Sequence, residues 1–147
     1  MLCDVTSVCS IHYDNDHSCG ALANLLKFYL HQNQIGDVGI QALADALKSS
    51  SGALDKLTYL NLYSNKIGDA GMSALADACA SGALDNLVLL ILLENQIGDD
   101  GVKALAEALK SSSGALDKLQ ELYLGGNHIG DAGMLSLIHI SEPTRPY

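Results

Sequence analysis

Tryptophan is absent, and arginine occurs once, at Arg145, near the end of a chain of 147 residues. There are 8 basic residues against 17 acidic ones, a formal net charge of −9. Without a basic patch a chain is poorly suited to phosphate backbones or anionic lipid, so no nucleic acid and no membrane is expected as a partner. Long apolar runs are missing too. The longest, Leu87 to Leu93, has seven residues, far short of a membrane span. The opening Met1-Leu2-Cys3-Asp4 has neither a basic start nor an apolar stretch after it, so it does not read as a secretion signal. Cysteine is scarce as well. Cys3, Cys9, Cys19 and Cys79 form no regular framework and read as free thiols in a reducing compartment, which gives a cytoplasmic expectation.

What the chain does have is repetition. Apolar residues make up 48% of it, enough for a sizeable core, and Leu and Ala dominate. Four segments, 25–39, 57–71, 87–101 and 119–133, share the pattern L-x-x-L-x-L-x-x-N-x-I-G-D-x-G, with Phe28 standing for one leucine. The asparagines fall at 33, 65, 95 and 127, in steps of 32, 30 and 32. The two-residue deficit lies between Cys79 and Gly82, at an expected helix end, where a loop absorbs a length change cheaply.

Each part of the repeat has a physical role. The L-x-L centre alternates with period two, so Leu60 and Leu62 point inward from a short strand while Tyr59, Asn61 and Tyr63 point outward. Ile40, Leu43, Ala44 and Leu47 follow the i, i+3, i+4, i+7 spacing of an amphipathic helix. Met72, Leu75, Ala76 and Cys79 repeat that spacing, as do Val102, Leu105, Ala106 and Leu109. Asp37, Asp69 and Asp99 stand at the helix starts, where a carboxylate caps open N–H groups. Gly52, Gly82 and Gly114 follow the helices as left-handed terminators. Gly36, Gly39 and their copies provide for tight turns and close packing. One strand–helix unit cannot bury its own apolar side, but stacked units cover each other. The expectation is a parallel sheet on the inner curve with helices outside.

At these residues the chain resembles the leucine-rich repeats of the ribonuclease-inhibitor type. The resemblance covers residues 20–134 and implies an α/β solenoid, a horseshoe of about three full repeats plus a truncated fourth. It implies a concave sheet that binds protein partners, as in the C-terminal arrays of NOD-like receptors. Steps of 30 to 32 residues are slightly long for the type, which bears on curvature rather than class.

Outside the array both ends read differently. Residues 1–17 lack the helix expected to precede the register that resumes at Ser18-Cys19-Gly20, so 1–19 form a non-repeat segment. They suit either a cap or sequence from outside the proper reading frame. Residues 135–147 resemble a translated sequencing-library adaptor, which makes them a non-native tail and the chain a fragment of a longer array. An array broken there would expose core leucines such as Leu122 and Leu124.

Several residue sets tempt a chemical reading. The asparagine column suits a backbone brace where each strand turns away better than a functional ladder. The Asp column suits capping better than calcium, because no repeat converges several oxygens. Cys3, Cys9, His12, His17 and Cys19 lack paired ligand spacing, so no metal is assigned. No nucleophile–base arrangement stands out, so no catalytic residue, no cofactor and no enzymatic activity is expected.

The outward strand positions carry the functional expectation. Stacking the copies gives three columns across the inner face: Lys27, Tyr59, Leu89, Glu121; Tyr29, Asn61, Ile91, Tyr123; and His31, Tyr63, Leu93, Gly125. Four of the six tyrosines lie there. Tyrosine gives a large contact at low entropy cost, and an exposed apolar stripe marks a partner site. The rival readings of Leu89, Ile91 and Leu93 are a strand that tolerates such residues and an aggregation-prone segment. The expected role is a non-catalytic protein-interaction module. The alternative is a regulatory GTPase activator resembling the Ran-directed family.

Overall fold

A computed structural model describes residues 25–49, 54–111 and 116–138. Strand and helix alternate four times: β1 (Lys27–Tyr29), α1 (Asp37–Ser49), β2 (Tyr59–Asn61), α2 (Asp69–Ala80), β3 (Leu89–Ile91), α3 (Asp99–Ser111), β4 (Glu121–Tyr123) and α4 (Asp131–Ile138). The strands form one parallel sheet in the order β1-β2-β3-β4. Each helix packs on the next one along the chain. This is an α/β leucine-rich-repeat solenoid, as the sequence pattern predicts.

Period-two alternation places one apolar row of each strand beneath the sheet. Phe28, Leu60, Leu90 and Leu122 lie opposite one another in register. Leu60, Leu62, Leu90 and Leu92 are at most 1% exposed. The helices close the other side with Ile40, Met72, Leu75, Val102 and Leu105. Phe28, Leu122 and Leu124, on the first and last described repeats, are only partly buried, each having a described neighbouring strand on one side alone. α4 runs four residues past Met134, and Leu137 packs where Leu75 and Leu105 pack in earlier repeats.

The strands are short because the chain turns at once. Gln32, Ser64, Glu94 and Gly126 all have positive φ, between 51° and 68°. That left-handed residue folds the chain back so that the asparagine amide reaches the backbone. Asn65 Nδ2 donates to Leu62 O in its own repeat (3.0 Å) and to Leu30 O in the preceding one (2.9 Å). Its Oδ1 accepts Ile35 N–H, also in the preceding repeat, at 3.1 Å. Asn95 and Asn127 repeat the arrangement on Leu62 and Ile67, then on Leu92 and Ile97. The asparagine column is thus a brace, and it spans the joint between units.

The aspartates behave differently from the local caps the sequence suggests. The N-cap of α2, Gly68, makes no side-chain capping bond. Its helix start is capped by the repeat before: Asp37 Oδ1 accepts N–H from Gly68 at 2.7 Å and from Gly71 at 2.9 Å. Asp69 does the same for Gly98 and Gly101, and Asp99 for Gly130 and Gly133. Each carboxylate therefore clasps the positive end of the following helix. This closeness also explains the second glycine of the motif. A Cβ on Gly71 would lie 2.6 Å from Asp37 Oδ1, and one on Gly101 would lie 2.8 Å from Asp69 Oδ1. Gly82, by contrast, is needed for its backbone, with φ of 87° after α2; Gly52 and Gly114 lie outside the described residues.

Two measurements check this account. Alanine normally favours a helix over glycine by about 1 kcal/mol. Gly101→Ala should nevertheless destabilise the chain in denaturant titration, by about 1–3 kcal/mol, because its Cβ meets Asp69, Ile97 and Met72. Gly39→Ala should cost less, since only Ile35 crowds its Cβ among the described residues. The second concerns Cys79, a free thiol with no exposed surface. Burial pushes its pKa from 9.0 up to about 12, and the Asp85 charge adds to this. A raised pKa favours the neutral thiol in the folded state. Its contribution is fully present below pH 9 and is lost as pH rises toward about 12. Unfolding free energies at about pH 8 and about pH 11 should differ less in Cys79→Ala than in the wild type.

Candidate partner-binding face

The face opposite the core is built from the residues between the buried leucines. Strand register sets Lys27 beside Tyr59, Leu89 and Glu121, and Tyr29 beside Asn61, Ile91 and Tyr123. The third column continues beyond the strands. Gln32 N–H donates to Tyr63 O, Ser64 N–H to Leu93 O and Glu94 N–H to Gly125 O, at 2.8 to 2.9 Å. These bonds hold His31, Tyr63, Leu93 and Gly125 in step. The structure thus brings all eleven candidate side chains onto one surface, in the columns that the spacing predicts.

That surface is graded along the stack. At the β1 end Lys27 is exposed, and Tyr29 packs on Tyr59 with ring centroids 4.9 Å apart. His31 meets Tyr29 edge-on at 6.1 Å. His31 Nδ1 is buried and finds no hydrogen-bond partner among the described residues. The middle is aliphatic: Leu89, Ile91 and Leu93 each keep part of their surface open. Gly125 adds no side chain beside Leu93, where a Cβ would sit 3.2 Å from Leu93 Cδ2. The result is a shallow notch against the flank of that leucine. At the β4 end Tyr123 is 44% exposed, and its hydroxyl donates to Glu121 Oε2 at 2.7 Å.

Not every candidate is equally free to meet a partner. Asn61 Oδ1 accepts Tyr63 N–H at 3.0 Å, so part of this side chain braces its own strand end. Burial raises the Tyr59 pKa, the nearby Tyr29 adds to the rise, and a hydrogen bond with Asn61 opposes it. Hydrogen bonding to Glu121 raises that of Tyr123, and the carboxylate charge reinforces the effect. Both phenols are therefore neutral donors across the physiological range.

Among the described residues no group of three or more His, Cys, Asp or Glu is placed to hold a metal ion. Cys3, Cys9, His12, His17 and Cys19 lie outside the described residues. Among the described residues no helix is long and apolar enough to cross a membrane. The outer helices carry exposed Asp45, Asp77 and Glu107. The ion pairs Lys48–Asp45 and Lys103–Asp100 are solvated and add little stability.

Two features of the site region were not visible in the pattern. The carboxylate clasp is one; its signal is the joint recurrence of Asp and the second Gly in every copy. The unpartnered His31 Nδ1 is the other, and no sequence signal marks it.

Comparison with known proteins bears on the fold. A family model described as leucine-rich repeat matches residues 21–44, 55–76, 86–106 and 117–137. No curated protein matches the chain. Among solved structures, an internalin (inlF) from Listeria monocytogenes str. 4b F2365 is 23% identical, with a TM-score of 0.41. The match covers 78% of this chain and 33% of that one, so the present chain spans about a third of the internalin's length.

The tyrosine assignments are checked by absorbance titration. Two phenols, Tyr59 and Tyr123, should ionise above the ordinary value of 10.0. Tyr59→Phe should remove one late step, and Glu121→Gln should return the other to the ordinary range. Because the folded state favours neutral Tyr59, its contribution is present below about pH 10 and is lost above it.

Proposed function

Because the chain belongs to the leucine-rich repeat family, we propose that it is a non-catalytic module that captures a protein partner on its concave sheet face. The observation that carries this reading is the continuity of Tyr29, Tyr59, Leu89 and Ile91. Two aromatic rings in contact run into an aliphatic stripe on adjacent strands, all partly open to solvent. Rigid aromatic and aliphatic anchors at the centre of a surface, with charge at its rim, form the usual energetic core of a protein interface. Lys27 and Glu121 supply that rim at opposite ends of the same column. An acidic chain with this face suits a protein ligand better than a nucleic acid or a membrane.

Finer assignments follow from the same reading. The repeat belongs to the ribonuclease-inhibitor type, supported by the full α-helices of 12 to 13 residues that return each of the first three strands. Residues 20–134 are the array and 1–19 a non-repeat segment, while 135–147 are a foreign tail on a fragment of a longer array, a tail whose first residues nevertheless continue α4 as far as Ile138. Recovery of the genomic locus tests this division, and an exon encoding the tail defeats it. The buried free thiol of Cys79 accords with a reducing, cytoplasmic setting.

Replacement of an interface anchor typically weakens binding by about 2 kcal/mol or more, at least tenfold in affinity. Ile91→Asp and Tyr59→Ala should each abolish partner capture from cell extract, with helical circular dichroism unchanged. Glu107→Ala, on the outer helices, should leave capture intact. Undiminished capture by the first two variants refutes the concave-face assignment. Accelerated GTP hydrolysis by a panel of small GTPases would instead favour the Ran-activator alternative.

A further inference from the structure

The turn after β4 departs from its three copies in a way that its backbone does not require. At the third outward position and the left-handed residue after it, the copies carry His31-Gln32, Tyr63-Ser64 and Leu93-Glu94, but the fourth carries Gly125-Gly126. Gln32, Ser64 and Glu94 hold positive φ of 51° to 55° with ordinary side chains, so the similar turn at Gly126 does not demand glycine. Gly125 has no positive φ at all. What the pair does is clear two side chains from the face. A Cβ on Gly125 would stand 3.2 Å from Leu93 Cδ2, and one on Gly126 would stand 3.0 Å from Glu94 Cγ. Leu93 and the stem of Glu94 therefore wall a hollow whose floor is bare backbone. Gly125, Gly126 and Glu94 are all exposed. Tyr123 stands two residues back on the same face, about 6.6 Å along the strand. Its hydroxyl bond to Glu121 Oε2 draws the ring toward Glu121 and away from the glycines. Among the described residues neither Glu94 nor Glu121 has an ion pair. The floor and this wall come from the third and fourth repeats alone; a further strand beyond β4 would add an opposite wall.

On the concave-face reading above, we infer that this hollow takes a long cationic side chain, arginine or lysine, from a protein segment that lays an aliphatic residue on Leu89 and Ile91. The methylenes of such a side chain lie along Leu93 over the bare backbone while its charge stays at the rim. There Glu94 or Glu121 pairs with it, and the ring of Tyr123, 44% exposed, adds a cation–π attraction. A purely aliphatic occupant would press on the carboxylates without pairing them, and an acidic one would be repelled. The aliphatic neighbour meets Leu89 and Ile91 on the adjacent strand, which are partly open to solvent. The far end of the first column carries Lys27, three strands away and exposed. A basic residue is thus attracted at β4 and repelled at β1, which sets the direction in which the segment crosses the strands. The net charge of −9 favours the approach of a basic partner from a distance.

Panning a phage library of random heptapeptides against the full chain tests the inference. Enriched sequences should hold Arg or Lys within a few residues of Leu, Ile or Val, and should be poor in Asp and Glu. A synthetic peptide of the leading sequence should shift the amide resonances of Gly125 and Gly126, and should bind more weakly once its cation is replaced by glutamine. Gly125→Leu fills the hollow with the side chain that the third repeat already carries at this position, so it should fold like the wild type. It should weaken the peptide at least about tenfold. Glu94→Gln and Glu121→Gln should each weaken it about two- to fivefold, the range of an exposed ion pair. Circular dichroism confirms that each variant is folded. Enriched peptides that lack a cation overturn the proposal. So do cationic peptides indifferent to all three variants, and so does a library that enriches nothing. Where such indifferent peptides are still lost in Ile91→Asp, the concave face stands and the hollow alone fails. Peptides that survive Ile91→Asp and Tyr59→Ala as well defeat both readings.

Discussion

The fold depends on hydrogen bonds that no repeat can complete alone. An apolar strand–helix unit could stack on its neighbour in many registers if burial were the only force, because burial is not directional. The asparagine and aspartate side chains remove that freedom. Asn95 reaches across to Leu62 O and receives Ile67 N–H, while Asp69 takes the two N–H groups at the start of α3. A shift of one residue at any joint would leave buried backbone groups unpaired, at about 1–3 kcal/mol each. The polar braces set the register, and the leucines supply most of the stabilisation within it.

Register in turn creates the candidate surface. Tyr59 faces Leu89 and Asn61 faces Ile91 only because Leu60 and Leu90 are held opposite one another beneath the sheet. The interior and the inner face are alternate residues of the same three-residue strands. The interior tolerates little change, since Leu60, Leu90 and Leu92 are completely enclosed. The inner face varies from lysine to tyrosine to leucine to glutamate along one column without disturbing the joints. A scaffold that separates the two sets so cleanly leaves recognition free to change while the backbone stays fixed.

Much of this was legible in the sequence because it is periodic. Strand position, helix faces, buried leucines and the three columns follow from counting residues in the aligned copies. The asparagine brace was legible as a local device, since Asn beside a turning strand has few other uses. Its second bond, to the repeat before, was not. The aspartates show the limit more sharply. Position at a helix start suggests that Asp69 caps α2, yet its carboxylate serves α3, because the stacked helix brings Gly98 and Gly101 closer than its own first turn. Propensity rules describe a helix in isolation and cannot say which neighbour's N–H groups a carboxylate meets. The second glycine was legible in part: close packing was expected of it, but not that the atom it packs against is an oxygen contributed by another repeat. The partial burial of Leu122 follows from its place on the last described strand, whereas the buried Nδ1 of His31 required coordinates.

The clasp has a genetic consequence. Each aspartate and the second glycine it serves are separated by 34, 32 and 34 residues, one period of the array plus two. Altering either partner alone breaks a fit that the other still presupposes, so point mutation is a poor route to diversity at these sites. Unequal crossing-over between copies avoids the difficulty. Wherever the exchange falls, the product inherits an aspartate ahead of a glycine at the proper interval. Lineages of such genes can thus lengthen or shorten by whole units while every junction remains compatible with the next.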